Sequence, residues 1–361
     1  MQAIKSAASV VYFQDESYTA LHTFLEQRKE ATGVLKLFIL VDTNTHEHCL
    51  SLFLQQLQGE YTIEIIEIPA GEENKHIQTC SGIWESLADL GADRHSILIN
   101  LGGGVVTDIG GFIACTYKRG ITYINVPTTL LAMVDASVGG KTGVDLGNLK
   151  NMVGVIGESE MVLVDTSYLA TLPQNEMRSG LAEMLKHGLI QDAPYWKQLQ
   201  VLSNLSVADL PSLIHHSVGV KNKVVLQDPT EKNIRKFLNF GHTLGHAIES
   251  YYLTHPVYER LLHGEAIAIG MIMEGYISHK LFDLSAQELQ EISKVFMDVY
   301  PHVPIQDQDI NPIIELLAHD KKNKNGVVLF CLLERIGQAV YDCQVSTELI
   351  QEAIAYYNNL A

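Results

Sequence analysis

The sequence predicts an α/β N-terminal domain over residues 1–172, followed by an all-α domain over residues 173–361. Three observations carry this. As far as Pro173, short apolar runs alternate with helically spaced stretches, the pattern of a parallel sheet covered by helices. Beyond Pro173 almost every periodic stretch is helical. A chain of 361 residues also exceeds what one hydrophobic core usually organises.

The first strand is the apolar run Leu35 to Val41, which ends in the polar turn Asp42-Thr43-Asn44. Tyr61 to Ile68 alternates and reads as a second strand. It leads through Pro69-Ala70-Gly71-Glu72-Glu73-Asn74-Lys75 into a helix ending near Leu90. Ser96 to Leu101 is a third strand, Val105 to about Lys118 a helix, and Ile121 to Val126 a fourth strand. In such sheets ligands sit at the carboxyl ends of the strands. Asp42, Glu72, Lys75, Gly103, Gly104, Thr128 and Thr129 fall there.

The stretch from Leu101 to Asn151 mixes glycines, hydroxyls, carboxylates and lysines more densely than a buried core needs. It reads as a site for a phosphate-bearing cofactor beside an anionic substrate. Gly102-Gly103-Gly104 is not a GxGxxG fingerprint, since Thr107 stands where the third glycine would be. Glycine still lets backbone approach a pyrophosphate, and the helix that follows offers free N–H groups. Gly110 and Gly111 weaken that helix by roughly 1 kcal/mol each, tolerable if it packs closely on a sheet or ligand. Gly139-Gly140-Lys141-Thr142-Gly143 resembles the tail of a P-loop but lacks the spaced first glycine, which argues against nucleotide hydrolysis. A lysine there can still grip an anion as a point charge.

In the second domain Gln174–Gln191, Val207–Gln227, Arg235–Tyr252, Leu262–Phe282, Ala286–Val299, Pro312–Ala318 and Glu348–Leu360 read as helices. Val327–Leu333 reads as a hairpin or a buried helical run. Three pieces can carry a metal. Glu183 lies on an otherwise apolar helix face, His242 and His246 are four apart and so share a helix face, and His263 opens another helix. Two histidines and a carboxylate with an open position make a catalytic zinc-type set. Spacing alone does not choose between His242 and His246, nor exclude His187. Lys186, Lys221, Arg235, Lys236 and the run Asp320-Lys321-Lys322-Asn323-Lys324 supply cations, although such a run is ordinarily a solvated loop.

Composition excludes several classes. The net charge of −17 opposes nucleic-acid binding, and it demands a local cationic cluster if the substrate is an anion. No apolar run approaches the roughly 20 residues that span a bilayer, and Met1 to Phe13 does not read as a signal peptide. Cys49, Cys80, Cys115, Cys331 and Cys343 are scattered with no CxxC pair, which reads as a reduced cytoplasmic protein.

Taken together, Gly102 to Asp108, Val126 to Gly143, Ala182-Glu183, Leu238 to Glu249, His263-Gly264-Glu265 and Asp320-Lys321-Lys322 resemble the dehydroquinate synthase family. The resemblance spans about Asp42 to Gly337, and Pro127 to Gly143 is its most specific part. It implies a Rossmann-like N-terminal domain, a helical C-terminal domain, bound NAD and a divalent metal, zinc or cobalt. The implied metal ligands are Glu183, His242 and His263. The implied substrate residues are Asp135, Lys141, Asn151, Lys186, Lys221, Arg235, Asn239, His246 and Lys321 or Lys322. Arg119 would come from a neighbouring subunit of a homodimer. The implied cofactor residues are Asp42, Glu72, Lys75, Gly103, Gly104, Asp108, Thr128, Thr129, Lys150 and Thr171.

The implied reaction turns a heptulosonate phosphate into dehydroquinate and phosphate. Two departures stand out. The family's Asp-Glu-Arg-Glu run is here Asp228-Pro229-Thr230-Glu231, and the stretch from His246 to His263 is a few residues longer than the family's, with Pro256 inside it. Rival readings are a sibling sugar phosphate cyclase, a metal-dependent polyol dehydrogenase and a silent NAD- and metal-binding regulator. The regulator should have lost one of Glu183, His242, His263 or Lys141, and all four are present.

Overall fold

The structure is a computed structural model that describes residues 1–7, 9–147, 149–201, 206–317 and 328–360. The chain forms two compact units. One comprises residues 1–173 and 208–222, the other residues 174–207 and 223–361.

The first unit is a seven-stranded sheet in the order β1-β2-β9-β6-β5-β3-β4, formed by β1 (Ile4–Lys5), β2 (Val10–Phe13), β3 (Lys36–Asp42), β4 (Thr62–Ile68), β5 (Ile97–Gly102), β6 (Thr122–Pro127) and β9 (Met161–Val164). All are parallel except β1, a two-residue antiparallel strand that ends one edge. Central strands β5 and β6 are buried almost throughout, as apolar runs covered on both faces must be. Edge strand β4 alternates instead over its second half, exposing Ile65 and Glu67 while burying Ile66 and Ile68, and charge on an edge discourages further pairing.

The helices of this unit are α1 (Asp15–Thr32), α2 (Thr43–His48), α3 (Leu50–Gln56), α4 (Ile77–Asp89) and α5 (Gly104–Thr116), with most of α8 (Leu210–Gln227) added from later in the chain. α5 explains its own glycines. A Cβ on Gly110 would lie 1.9 Å from Oδ1 of Asn100, and one on Gly111 would lie 2.3 Å from Cγ2 of Thr142. The helix therefore rides directly on β5, where buried Asn100 donates to Asn125 across the adjacent strand at 2.9 Å. The glycine-rich segment after β6, which carries no periodic pattern, is a hairpin of β7 (Lys141–Leu146) and β8 (Leu149–Ile156). Lys141 thus opens a strand, whereas the lysine of a P-loop opens a helix.

The second unit holds α6 (Gln174–Gln191), α7 (Ala193–Leu199), α9 (His242–Thr254), α10 (His263–Leu281), α11 (Ala286–Val299), α12 (Asp307–Leu317) and α13 (Thr347–Asn358). α10 is apolar on nearly every face, and α6, α9, α11 and α13 pack around it. The unit is not all helix. Leu329–Arg335 and Gln338–Gln344 form a hairpin, β10 and β11, which resolves the Val327–Leu333 ambiguity toward strand. Two helical expectations shift. The stretch from Arg235 breaks into a 3₁₀ turn, Ile234–Asn239, before α9, because Gly241 sits at φ 77°, outside helical space. The helix expected from Pro312 begins five residues earlier, at Asp307, with Pro312 inside it. No described helix is long and apolar enough to cross a membrane.

Candidate active site

In the second unit, Glu183 lies mid-α6 with no solvent exposure. A buried carboxylate needs compensation, and its own helix supplies Lys186 one turn on, in an ion pair. Lys186, 1 % exposed, also donates to the Leu238 carbonyl at 2.8 Å. Oε1 of Glu183 stands 3.4 Å from Nε2 of His242 and 3.6 Å from Nε2 of His263. Neither oxygen of this carboxylate makes a well-formed hydrogen bond. Ligand atoms around one tetrahedral ion with 2.0–2.1 Å bonds are separated by about 3.4 Å. Each of the two imidazole nitrogens is thus at about ligand spacing from the carboxylate.

The other ring nitrogens are already engaged. Nδ1 of His242 lies 3.0 Å from the Phe240 carbonyl, and Nδ1 of His263 lies 3.3 Å from Oε2 of Glu249. That arrangement commits Nδ1 to the protein and leaves Nε2 to face Glu183. His246, one turn along α9, has its ring 5.1 Å from that of His242 and 5.8 Å from that of His263. Ligating atoms of the three histidines lie within 4.8 Å of one another, so His246 shares the locality.

The electrostatics follow from these neighbours. Burial opposes ionisation of Glu183, but the Lys186 charge and His242 outweigh it and hold the carboxyl well below its usual range. Burial and the Lys186 charge push His242 down. Burial also opposes protonation of His263, yet Glu249 and Glu183 push it up to about 9.

Both histidines open helices, His242 in α9 and His263 in α10. α10 is anchored at that end by Ser179 Oγ, which accepts from Gly264 N at 2.9 Å, and by Glu265, which accepts from Leu262 N at 2.9 Å. Arg235 and Asn239 sit on the 3₁₀ turn just before α9. The two acids kept in Asp228-Pro229-Thr230-Glu231 account for that turn. Asp228 accepts the backbone N–H groups of Lys232, Asn233 and Arg235 at 3.0, 2.7 and 3.1 Å. Burial opposes its charge, but those N–H groups hold its carboxyl below the usual value. Glu231 accepts from Asn239 Nδ2 at 2.9 Å, and the buried Arg235 donates to the Pro229 carbonyl at 2.7 Å.

In the first unit the parallel strands deliver their ends to one edge of the sheet. Asp42 ends β3 and caps α2 by accepting from Thr45 N at 2.8 Å. Gly103 and Gly104 join β5 to the N-terminus of α5, where a Cβ on Gly103 would lie 2.9 Å from Thr129. Thr128 and Thr129 follow β6, and Glu72 and Lys75 follow β4. Lys75 is almost fully buried and donates to Asp108 Oδ2 at 2.6 Å and to Asn151 Oδ1 at 2.7 Å. Burial disfavours its charge, but Asp108, Glu72 and Asp145 more than restore it. Burial raises the Asp108 carboxyl against the pull of Lys75. Lys150 pairs with Glu72 at 3.0 Å, and Lys221, which falls in this unit, pairs with Asp135 at 2.7 Å.

Arg119, Thr171 and Lys141 also fall in the first unit. Arg119 is exposed in a left-handed kink, φ 68°, after Lys118 at φ 49°. Thr171 ends the 3₁₀ turn Thr166–Thr171 and donates to the Tyr168 carbonyl at 3.4 Å. Lys141 is exposed at the start of β7. Lys321 and Lys322 lie outside the described residues.

Sequence reasoning missed three supporting groups. Asp145 accepts from Asn151 N at 2.6 Å and holds that residue at φ 53°. Glu249 and Ser179 hold His263 and the residue after it. Glu249 was within reach, since it closes the Gly245-His246-Ala247-Ile248-Glu249 segment. Ser179 carries no local signal.

Comparison with known proteins bears on the whole chain. The family profile "3-dehydroquinate synthase N-terminal" matches residues 65–179, and "3-dehydroquinate synthase C-terminal" matches residues 180–323. A 3-dehydroquinate synthase of Parabacteroides distasonis is 42% identical over 324 residues, 89% of this chain and 91% of that protein. One of Picosynechococcus sp. is 39% identical over 348 residues, 94% of this chain and 93% of that protein. Among solved structures, 2-epi-5-epi-valiolone synthase of Streptomyces hygroscopicus subsp. jinggangensis 5008, with NAD+ and Zn2+ bound, is 27% identical with a TM-score of 0.81 over 100% of this chain and 99% of that one. A 2-deoxy-scyllo-inosose synthase complexed with carbaglucose-6-phosphate, NAD+ and Co2+ shares the fold, with a TM-score of 0.82 at 23% identity over 98% of this chain and 99% of that one. Both profiles match in sequence order, and relatives at this identity extend along most of the chain, so it belongs to the 3-dehydroquinate synthase family.

Proposed function

We propose that the chain converts 3-deoxy-D-arabino-heptulosonate 7-phosphate to 3-dehydroquinate and phosphate, the second step of the shikimate pathway, and is thus a phosphate-eliminating carbon–oxygen lyase. The observation that carries the reading is the likeness to 3-dehydroquinate synthases along most of the chain. The NAD and divalent metal (zinc or cobalt) of the related synthases are proposed for this chain too. When bound, NAD supplies reversible hydride transfer and the metal Lewis acidity at the alcohol being oxidised, so that phosphate elimination, re-reduction and aldol closure consume neither.

The chain's own residues supply the rest. Glu183, His242 and His263 would hold the metal, their spacing and the anchored Nδ1 atoms fitting that duty. The N-terminus of α5 with Gly103 and Gly104, together with Asp42, Glu72, Lys75, Asp108, Thr128, Thr129, Lys150 and Thr171, would hold NAD. Lys75 occupies the side-chain amide oxygen of Asn151, which leaves Nδ2 of that residue to donate to an anion. Asn151, Lys141 and His246 are assigned to the substrate phosphate, with His246 holding or returning a proton there. Arg235, Lys221 and Asn239 suit the substrate carboxylate, which the valiolone- and inosose-type substrates lack. Asp135 and Lys186 complete the substrate set, and Lys186 also keeps Glu183 ionised. We further propose a cytoplasmic homodimer in which Arg119 serves the neighbouring subunit.

The test is phosphate release from the heptulosonate phosphate with catalytic NAD and added zinc or cobalt. Many phosphates per NAD, no NADH build-up and loss of activity to chelator are expected. No release, with NADH accumulating from a simple polyol, would move the chain to the metal-dependent dehydrogenases.

A further inference from the structure

α9 has an unusual start. Its N-cap is Gly241, which has no side chain to accept the free N–H groups of the first turn. No other residue fits there: φ is 77°, and a Cβ would lie 2.2 Å from Cγ of Met271 and 3.1 Å from the Ile267 carbonyl oxygen, both on α10. Contact is equally tight in the other direction, since a Cβ on Gly270 would lie 2.0 Å from the Gly241 carbonyl oxygen. The cap comes from α10 instead. Glu274, fully buried, accepts Gly241 N on Oε2 at 2.7 Å and Leu244 N on Oε1 at 3.1 Å. These are the two N–H groups that a capping box satisfies from within one helix. One carboxylate borrowed from the neighbouring helix does both, and its charge complements the positive end of the α9 dipole.

His242, the first residue of α9, lies with Thr243 between the two amides. Its Nδ1 faces Phe240, the residue before the cap. The orientation of its Nε2 toward Glu183 therefore depends on the backbone at 241–244, which Glu274 fixes. We propose that Glu274 is a positioning residue for the metal site: it sets the start of α9 and hence the direction of His242, without touching metal or substrate. This rests on the reading of Glu183, His242 and His263 as ligands.

Glu274→Gln tests it. The amide keeps the volume but turns a donor toward one of the two N–H groups, so only one can be accepted. Zinc affinity, by competition with a chelator well below the melting temperature, is expected to fall by about tenfold or more, as for other groups that orient a ligand from behind. The visible absorption of the cobalt-loaded protein should shift, reporting altered ligand geometry. Unchanged affinity and an unchanged cobalt spectrum in a folded Glu274→Gln protein would overturn the proposal. A lower melting temperature with both readouts intact would make Glu274 only a stability element, which also overturns it. If the unaltered protein binds no zinc, the ligand assignment fails. Hydrogen exchange at the Gly241 and Leu244 amides of the unaltered protein then decides whether Glu274 fixes this turn: strong protection supports it, and exchange at solvent rates refutes it.

Discussion

Lys75 stands between two dependants, the Asp108 carboxylate and the Asn151 amide. Replacing it with Met would leave the part-buried Asp108 carboxylate without its cation, a loss of about 1–3 kcal/mol. Denaturant midpoints should show this, and a Lys75→Met, Asp108→Leu double variant should recover much of it. If the single variant is as stable as the unaltered protein, the pair carries no structural weight. His242→Ala should abolish zinc binding and turnover together; a metal-replete, active variant would reject the ligand assignment. Residues of this kind were legible because a charge or imidazole in a glycine-rich or apolar setting has few purely structural uses. Asp145 and Ser179 were not legible. They act on the main chain of a neighbour, and no spacing in the sequence announces which backbone N–H a side chain will meet.

At the level of elements, the turn from Asp228 to Asn239 shows how a motif with two residues changed keeps its two acids engaged. Its two retained acids hold Arg235 through the backbone and Asn239 through the side chain. Asp228→Ala should cost about 1–3 kcal/mol, the range for hydrogen bonds to a charged acceptor. Its folded pKa lies below that of an unfolded aspartate, so its contribution is complete above about pH 4 and is lost as pH falls through the folded value. The stability gap between the unaltered protein and Asp228→Asn should therefore be flat near neutrality and close in acid; a gap that widens in acid would contradict the assignment. Gly110→Ala places a Cβ 1.9 Å from Asn100 Oδ1 and should cost about 1–3 kcal/mol through overpacking, read as a fall in melting temperature. The main strands and helices were legible because their periods are long. The β7–β8 hairpin was not: its glycines, at Gly143 and Gly154, let two backbones touch and leave no alternating pattern to read.

The whole molecule is interleaved. The chain leaves the first unit after Pro173, re-enters it at Ala208 and leaves again after Asn222. The returning segment is tied in by Asn222, which donates to the Lys5 carbonyl at 2.9 Å, and by His215, whose ring lies 4.7 Å from that of Phe13. It also carries Lys221 to Asp135. A fragment ending at residue 173 contains every strand of the main sheet yet should melt well below the full chain or aggregate; a cooperative melt at the full-length temperature would show that the segment is dispensable. On the ribosome, the order of synthesis becomes a constraint. The first unit cannot be finished when its last strand emerges. It must wait with an uncovered face while some fifty more residues, most of them destined for the other unit, are made. A nascent chain held at that stage is the form in which this protein should most need a chaperone.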